Sequence, residues 1–592
     1  MKEFFKFMFA SFLGTLLTLL VIGLIFIGMI AGIVSMSQDK EVEVKSNSVL
    51  HISWKTPILD RGSDNPFENF DFNSMESNKP VGLNDILENL EKASKDPNID
   101  GIFLDMETVP AGMAALEEIR DKMMAFKESG KFIISYANNY DQKGYYLASL
   151  ADEIYLNPEG MILFKGLHAQ LMFFKGLLEK IDVDMQILRG PDNKFKSAVE
   201  PLMLEKMSEA NREQFETLLN SAWGQMLMDI SDSRNISIGD LNKIADKLEL
   251  TSADNALEYN FIDGIMYRDE LIDVLKEKTG REDDDKVRSI SFGKYTKAKD
   301  RKERKMTKNK VAVIFAEGSI VQGKGGQGEI GSASLAATIR KVRKDDNVKA
   351  IVFRVNSPGG DAQASEEIRR EVELAGANIP FIVSMGNVAA SGGYWISTSA
   401  DYIFAQPTTI TGSIGVFGII PNFKKLFNDK LGITFDEVMT NENSDFIDVM
   451  KPMSEFQKAK LNEQIVEIYE DFTELVATTR NLDVAYVNEV GRGRVWLGTD
   501  ALEKKLVDQM GGLEDAIAYA IEQAELGEEF RISEYPKQKD FFEQLAKEIM
   551  GDVKTRIIGN ELGDFKSYYD QYQSIRNMEG VQARLPFVYT IN

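Results

Sequence analysis

The chain has 592 residues, 43% of them hydrophobic, and a formal net charge of −24. That length suggests three or four domains with sizeable cores, and the acidity argues against a general nucleic-acid binder or broad adhesion to anionic lipid. Cysteine is absent and only two histidines occur, His51 and His168, which excludes disulfides, thiolate-metal sites and a histidine-rich metal centre.

Residues 7–38 carry no charge. The run is longer than the roughly 20 residues that cross a bilayer as a helix, and longer than the roughly 7–15 of a cleavable signal core. No clean A-x-A site follows, so the reading is a retained signal anchor. Lys2 and Lys6 precede it, while Asp39, Lys40, Glu41 and Glu43 follow. The positive-inside tendency then leaves the N-terminus in the cytoplasm and the bulk of the chain outside.

Beyond the anchor, residues 49–52 read as a strand, 63–79 as a loop and 84–93 as a helix. Residues 101–104 and 132–136 are short apolar strands, with a helix over 117–126 between them. The same order returns at 311–315, 351–355 and 381–384. Strand-helix-strand alternation predicts an α/β fold with mainly parallel strands. Long helices are expected to start at Met207-Ser208-Glu209 and Met453-Ser454-Glu455, the second with an apolar packing stripe of Leu461, Ile465, Ile468, Phe472 and Leu475. The charged stretch around Glu282-Asp283-Asp284-Asp285 and 297–310 reads as a solvated connector. The expected division is an anchor over 1–45, a first repeat over 46–280, a linker over 281–309, a second repeat over 310–535, and an extension of unknown role over 536–592.

Residues 98–166 align with 347–415 at a constant offset of 249 and without a gap. A fixed-period repeat means two copies of one fold. In that register Ser391, within Ala390-Ser391-Gly392-Gly393-Tyr394-Trp395, lies opposite Gln142. Further on, Lys196 lies opposite Ile447. The loop Asn356-Ser357-Pro358-Gly359-Gly360 has as its counterpart Thr108-Val109-Pro110-Ala111-Gly112, which lacks the Gly-Gly pair. These complementary losses suggest that the two copies share one reaction centre.

Small residues around Ser391 let a substrate backbone approach, and glycine N–H groups after a strand are suited to a developing oxyanion. The same pattern also fits a serine-capped helix start and an ordinary Pro-Gly turn. A serine nucleophile needs a base. His51 lies in a strand, and His168 faces Phe417 in the repeat register, a packing position. A lysine is the economical alternative, provided burial lowers it by about 3 pKa units. Lys196 stands between Phe195 and Ser197-Ala198-Val199, a setting of low polarity.

The segments Met385-Gly386-Asn387-Val388-Ala389-Ala390-Ser391-Gly392-Gly393-Tyr394-Trp395, Lys196-Ser197-Ala198-Val199-Glu200-Pro201 and Gly493-Arg494-Val495-Trp496-Leu497-Gly498 resemble the double-length signal peptide peptidase A family, also called protease IV. The resemblance implies tandem crotonase/Clp-protease-like domains behind an N-terminal transmembrane helix. It implies Ser391 as nucleophile, Lys196 as general base from the other repeat, and an oxyanion hole from Gly392, Gly359 and Gly360. Ser413 would orient the lysine. It further implies a homotetramer on the outer face of a bacterial cytoplasmic membrane, acting on signal-peptide remnants without metal or cofactor. Asn387 and Phe195 depart from the residues common in relatives. A crotonase-type enzyme of acyl thioesters and an inactive envelope scaffold are the rival readings.

Overall fold

The computed structural model describes residues 2–37, 42–62, 70–71, 76–77, 79–190, 193–281, 286–299, 307–326, 328–537 and 581–585. The helix Lys2–Ser37 comes first, and its Glu3–Leu24 portion is long and apolar enough to cross a membrane, with none of it buried in the protein.

Each repeat is built on one sheet. In the first, the strands run in the order Gly264–Ile265, Glu153–Leu156, Phe132–Ala137, Ile99–Asp105, Ser48–Ile52 and Ser289–Ser291, all parallel. The second has the order Val495–Leu497, Ile410–Gly412, Phe381–Ala390, Val348–Ser357, Lys310–Glu317 and Arg531–Tyr535, with Tyr402–Ala405 also paired to Phe381–Ala390. Near-continuous apolar strands such as Lys310–Glu317 are what a parallel sheet covered on both faces requires.

Three expectations change. The strand expected over 381–384 runs to Ala390, because it pairs first with Tyr402–Ala405 and then with Ile410–Gly412. The strand expected over 351–355 is Val348–Ser357. Part of the charged connector is ordered as well as solvated: Ser289–Ser291 is the edge strand beside Ser48–Ile52, with Ile290 buried and both serines exposed. Its counterpart at the end of the second repeat is Arg531–Tyr535, beside Lys310–Glu317. The acidic run at 282–285 and most of 63–79 lie outside the described residues.

The long helices are Glu209–Arg234 and Glu455–Arg480. Each begins on a serine whose side chain accepts from an N–H of the first turn, and each ends on an asparagine in the left-handed region. Asparagine tolerates that conformation better than most residues, so both ends are set locally. Leu461, Ile465 and Phe472 are buried, with Ile468 and Leu475 packed beside them.

A third, small sheet crosses the seam between the repeats. Asp184–Arg189 of the first repeat pairs antiparallel with Phe417–Asn422 of the second along six residues. A buried ion cluster also spans the seam. Arg354 donates from Nε to Asp60 Oδ1 at 2.9 Å and from Nη2 to Glu118 Oε1 at 2.6 Å. It also reaches Ser384 Oγ at 2.8 Å. Glu118 Oε2 accepts from the Leu513 N–H at 2.7 Å. Asn387, one of the departures from the family pattern, accepts from the Ala115 N–H at 3.1 Å and so ties the second repeat to the first turn of the helix Met113–Glu128. Removing one partner of a buried ion cluster strands the others. Arg354→Leu is therefore expected to destabilise the fold by about 3–5 kcal/mol, read as a lower urea midpoint.

Candidate active site

Ser391 follows the strand Phe381–Ala390 without an intervening residue. Its backbone is forced to φ 57° and ψ −114°, outside the usual range for a residue with a side chain. Two hydrogen bonds hold it there, from Ser391 N–H to the Gly412 carbonyl at 2.8 Å and from Trp395 N–H to the Ser391 carbonyl at 2.8 Å. Trp395 in turn stacks on Phe472 of the long helix, with ring centroids 4.3 Å apart. Strain at one residue persists when its surroundings over-determine it.

Lys196 comes from the other repeat and is fully buried. Its Nζ lies 2.7 Å from Ser391 Oγ. It also donates to the Ser413 carbonyl at 2.9 Å and lies 2.9 Å from Ser413 Oγ. The structure thus brings Ser391, Lys196 and Ser413 to one point, although 195 positions separate the first two. Burial pushes the Lys196 ammonium well below the usual lysine range, and no neighbouring charge contributes.

The lysine is located by its backbone. Its N–H donates to the Asn193 carbonyl at 3.1 Å, and the Phe195 N–H donates to the Arg492 carbonyl at 3.0 Å. Gly493, at φ +75°, packs face to face with it, so that a Cβ there would stand 2.5 Å from the Lys196 Cβ. The Gly493 N–H donates to Ile414 and the Ser413 N–H to Arg494, at 2.7 Å each. The same short loop therefore seats both Lys196 and Ser413. Phe195, the second departure, is buried under the Arg494 guanidinium, 4.7 Å from its ring centre. The glycine-arginine alternation was visible in the sequence, but nothing in it pointed to the lysine.

Gly359 and Gly392 adjoin one another: a Cβ on Gly359 would lie 2.6 Å from the Gly392 nitrogen. Gly359 has φ +93°, and its N–H is 3.2 Å from Ser357 Oγ. Gly360 lies in the ladder against Ile320. In the first repeat, Gln142 occupies the position matching Ser391. Its Oε1 accepts from the N–H groups of Lys165 and Gly166 at 3.1 and 3.0 Å. The ancestral pocket is plugged there.

Neither histidine hydrogen-bonds to Ser391. His51 pairs with Asp105 at 2.8 Å and stacks on Phe103. His168 is exposed, unlike the buried Phe417 it matches, so the packing role expected for it is not realised.

A strained serine hydroxyl held against a buried amine is an arrangement suited to hydrolysis. The profile of Peptidase family S49 matches residues 125–282 and 373–527, one stretch in each repeat. "Protease 4" of Haemophilus influenzae is 37% identical over 74% of this chain and 72% of its own length. "Serine protease SPPA, chloroplastic" of Arabidopsis thaliana is 32% identical over 86% of this chain and 74% of its own. Among solved structures, ClpP1 from Listeria monocytogenes aligns with 34% of this chain and 92% of its own at 14% identity and a TM-score of 0.23. The chain belongs to peptidase family S49 and is a protease.

A base that must be neutral loses function as it is protonated. Activity is expected to fall on acidification through the lowered lysine pKa and to reach a plateau above it, with no need to approach the ordinary value of about 10.4. Ser413→Ala removes one partner of the amine. It is expected to cut kcat/KM by about tenfold and to shift that limb, seen in a pH–rate profile. Gly493→Ala should displace the lysine, cost on the order of a hundredfold in kcat and also lower stability, because the alanine takes a positive φ against the Lys196 backbone; a urea melt beside the assay checks both.

Proposed function

We propose that the protein is a serine endopeptidase in which Ser391 is the nucleophile and Lys196 the general base. The observation that supports it most is the 2.7 Å approach of a buried amine, whose charged form burial disfavours, to a strained serine hydroxyl. A neutral amine has two hydrogens and one lone pair. Ser413 takes the hydrogens through its carbonyl and hydroxyl oxygens. The lone pair is left for the Ser391 hydroxyl, which is the polarity a base requires.

As Ser391 Oγ attacks the peptide carbonyl, its proton passes to Lys196. The oxyanion develops beside Gly392 and Gly359, with Gly360 in the adjoining wall. The ammonium then gives its proton to the leaving amine and an acyl-enzyme remains. Water, deprotonated by the same amine, releases the acid. No step calls for a metal or cofactor.

The substrates are read as cleaved signal peptides and similar apolar peptides. One relative, from Enterococcus faecium, is named "Putative signal peptide peptidase SppA" and is 38% identical over 30% of this chain. The N-terminal helix supports a single-pass bacterial inner-membrane protein with both repeats on the outer side. We read the repeats as 46–280 and 310–535 and the assembly as a homotetramer. Exposed apolar side chains between the repeat core and the second long helix, Leu431, Phe435 and Val438 among them, support further packing there.

Ser391→Ala and Lys196→Ala are each expected to lower kcat/KM on a peptide ester by about a thousandfold or more. A serine-reactive phosphonate should label the wild type and spare Ser391→Ala. Peptide cleavage retained by either purified variant refutes the pair.

A further inference from the structure

A row of rings and cations crosses the seam beside Lys196. The guanidinium of Arg494, in the second repeat, lies over two rings. One is Phe195 of the first repeat, 4.7 Å from the ring centre, and the other is Trp496 of its own repeat, 4.4 Å away. Each ring has a further cation over it: Lys194 Nζ stands 4.6 Å from the Phe195 centre, and Lys504 Nζ 4.1 Å from the Trp496 ring. Both rings are buried, and the Arg494 side chain is mostly so. Its Nη1 donates to Glu213 Oε1 at 2.9 Å, an exposed residue on the first repeat's long helix. Its Nε is buried without a hydrogen-bond partner.

We propose that Arg494 is a positioning residue for the base: stacked on Phe195 and Trp496, its guanidinium clasps the loop that carries Lys196 onto the loop that holds Ser413 and closes this side of the seam to water. The proposal rests on the Ser391–Lys196 reading above.

Both ends of the clasp are tied to the centre through the backbone. Phe195 directly precedes Lys196, so ring and amine leave one short stretch of chain. The carbonyl of Arg494 itself accepts from the Ser413 N–H at 2.7 Å. Trp496 pairs with Thr411 in the ladder, and its indole N–H donates to the Val490 carbonyl at 2.9 Å. Its ring also lies against Gly412, where a Cβ would stand 2.9 Å from it. The Gly412 carbonyl is the one that accepts from the Ser391 N–H. The stack therefore meets the amine, its partner serine and the strained serine each at one remove.

The chemistry calls for arginine. A guanidinium is planar and weakly hydrated, so its face can stack on rings while its edge donates to a carboxylate. An ammonium is a compact, strongly hydrated point charge and presents no such face. The unpaired Nε shows which interaction governs the placement: a buried donor is left unmet where the flat face meets two rings. The pair with exposed Glu213 adds little.

The test uses the purified full-length chain and an external peptide ester, with kcat and KM followed over pH. The amine's own contacts are Ser391 and Ser413, and no charged group contributes to lowering it, so a displaced acid limb reports water at the amine. Arg494→Lys keeps the charge and loses the flat face. Water relieves the burial that disfavours the ammonium, so the acid limb of kcat/KM is expected to move to higher pH by about half a unit or more. The plateau kcat should fall about tenfold with KM nearly unchanged. Phe195→Leu removes the ring from the opposite repeat and should give the same shift, and the double variant should be no worse than either single one. Glu213→Gln should leave the limb in place. An Arg494→Lys enzyme with a lowered kcat and the wild-type limb has lost folded protein only, and overturns the proposal. Additive losses in the double variant, or a Glu213→Gln limb displaced as far as that of Arg494→Lys, overturn it as well. All of these leave the Ser–Lys reading standing; hydrolysis retained by Ser391→Ala or Lys196→Ala sinks that reading first, and the clasp with it.

Discussion

The centre depends on keeping one amine out of water. A lysine in solvent is protonated at neutral pH and has no lone pair to offer. Burial pushes the Lys196 ammonium well below the usual lysine range, and it is buried because the two repeats close over it. The seam is therefore as much a part of the chemistry as the side chains. Asp184–Arg189 continues a sheet of the other repeat, Arg354 holds carboxylates from the first repeat, and Asn387 caps a helix across the boundary. Buried charges are costly to assemble. Here that cost goes with a fixed relation between Lys196 and Ser391, which no short covalent segment joins.

Duplication explains how such a division arises without new folds. Each repeat retains the strand-turn-helix that presents the residue at position 391 or 142. In the second, that residue is a strained serine. In the first it is Gln142, which uses its amide oxygen to satisfy two backbone N–H groups. The lysine position diverged the other way, buried as Lys196 in one repeat and exposed as Ile447 in the other. Each repeat thus brings to the seam a side chain that its partner lacks.

The parts legible in the sequence were those with a period or a local rule. Parallel strands of apolar residues, serine-capped helices and a repeat at constant offset all leave marks within a few residues of one another. The approach of Lys196 to Ser391 was legible through the offset and the family resemblance, since composition alone left Ser391 looking like a helix cap. Other features were set by pairing at a distance. The strand ending at Ala390 outran its apolar stretch because a second neighbour continues the ladder. Ser289–Ser291 looked polar and solvated, yet an edge strand needs only one side paired. Gly493 reads as a turn glycine until Lys196, nearly three hundred residues earlier, is seen against it. The strand Val581–Arg584 has too little pattern of its own to be noticed without its partner strands.

The strands Gly359–Asp361 and Phe417–Asn422 stand on either side of Val581–Arg584, and a slot one strand wide favours an extended backbone. Main-chain pairing on both walls recognises any extended backbone, so it supplies affinity without regard to sequence. Discrimination is left to alternate side chains, because successive residues of a strand point to opposite faces. One face of the slot is the apolar cluster that holds Ala583 and Val581, and it rewards small or branched aliphatic residues. A folded protein cannot offer such a segment without first losing its own pairing. A peptide with no such pairing to lose meets no such cost, so a gap of this shape favours extended conformation before it favours sequence.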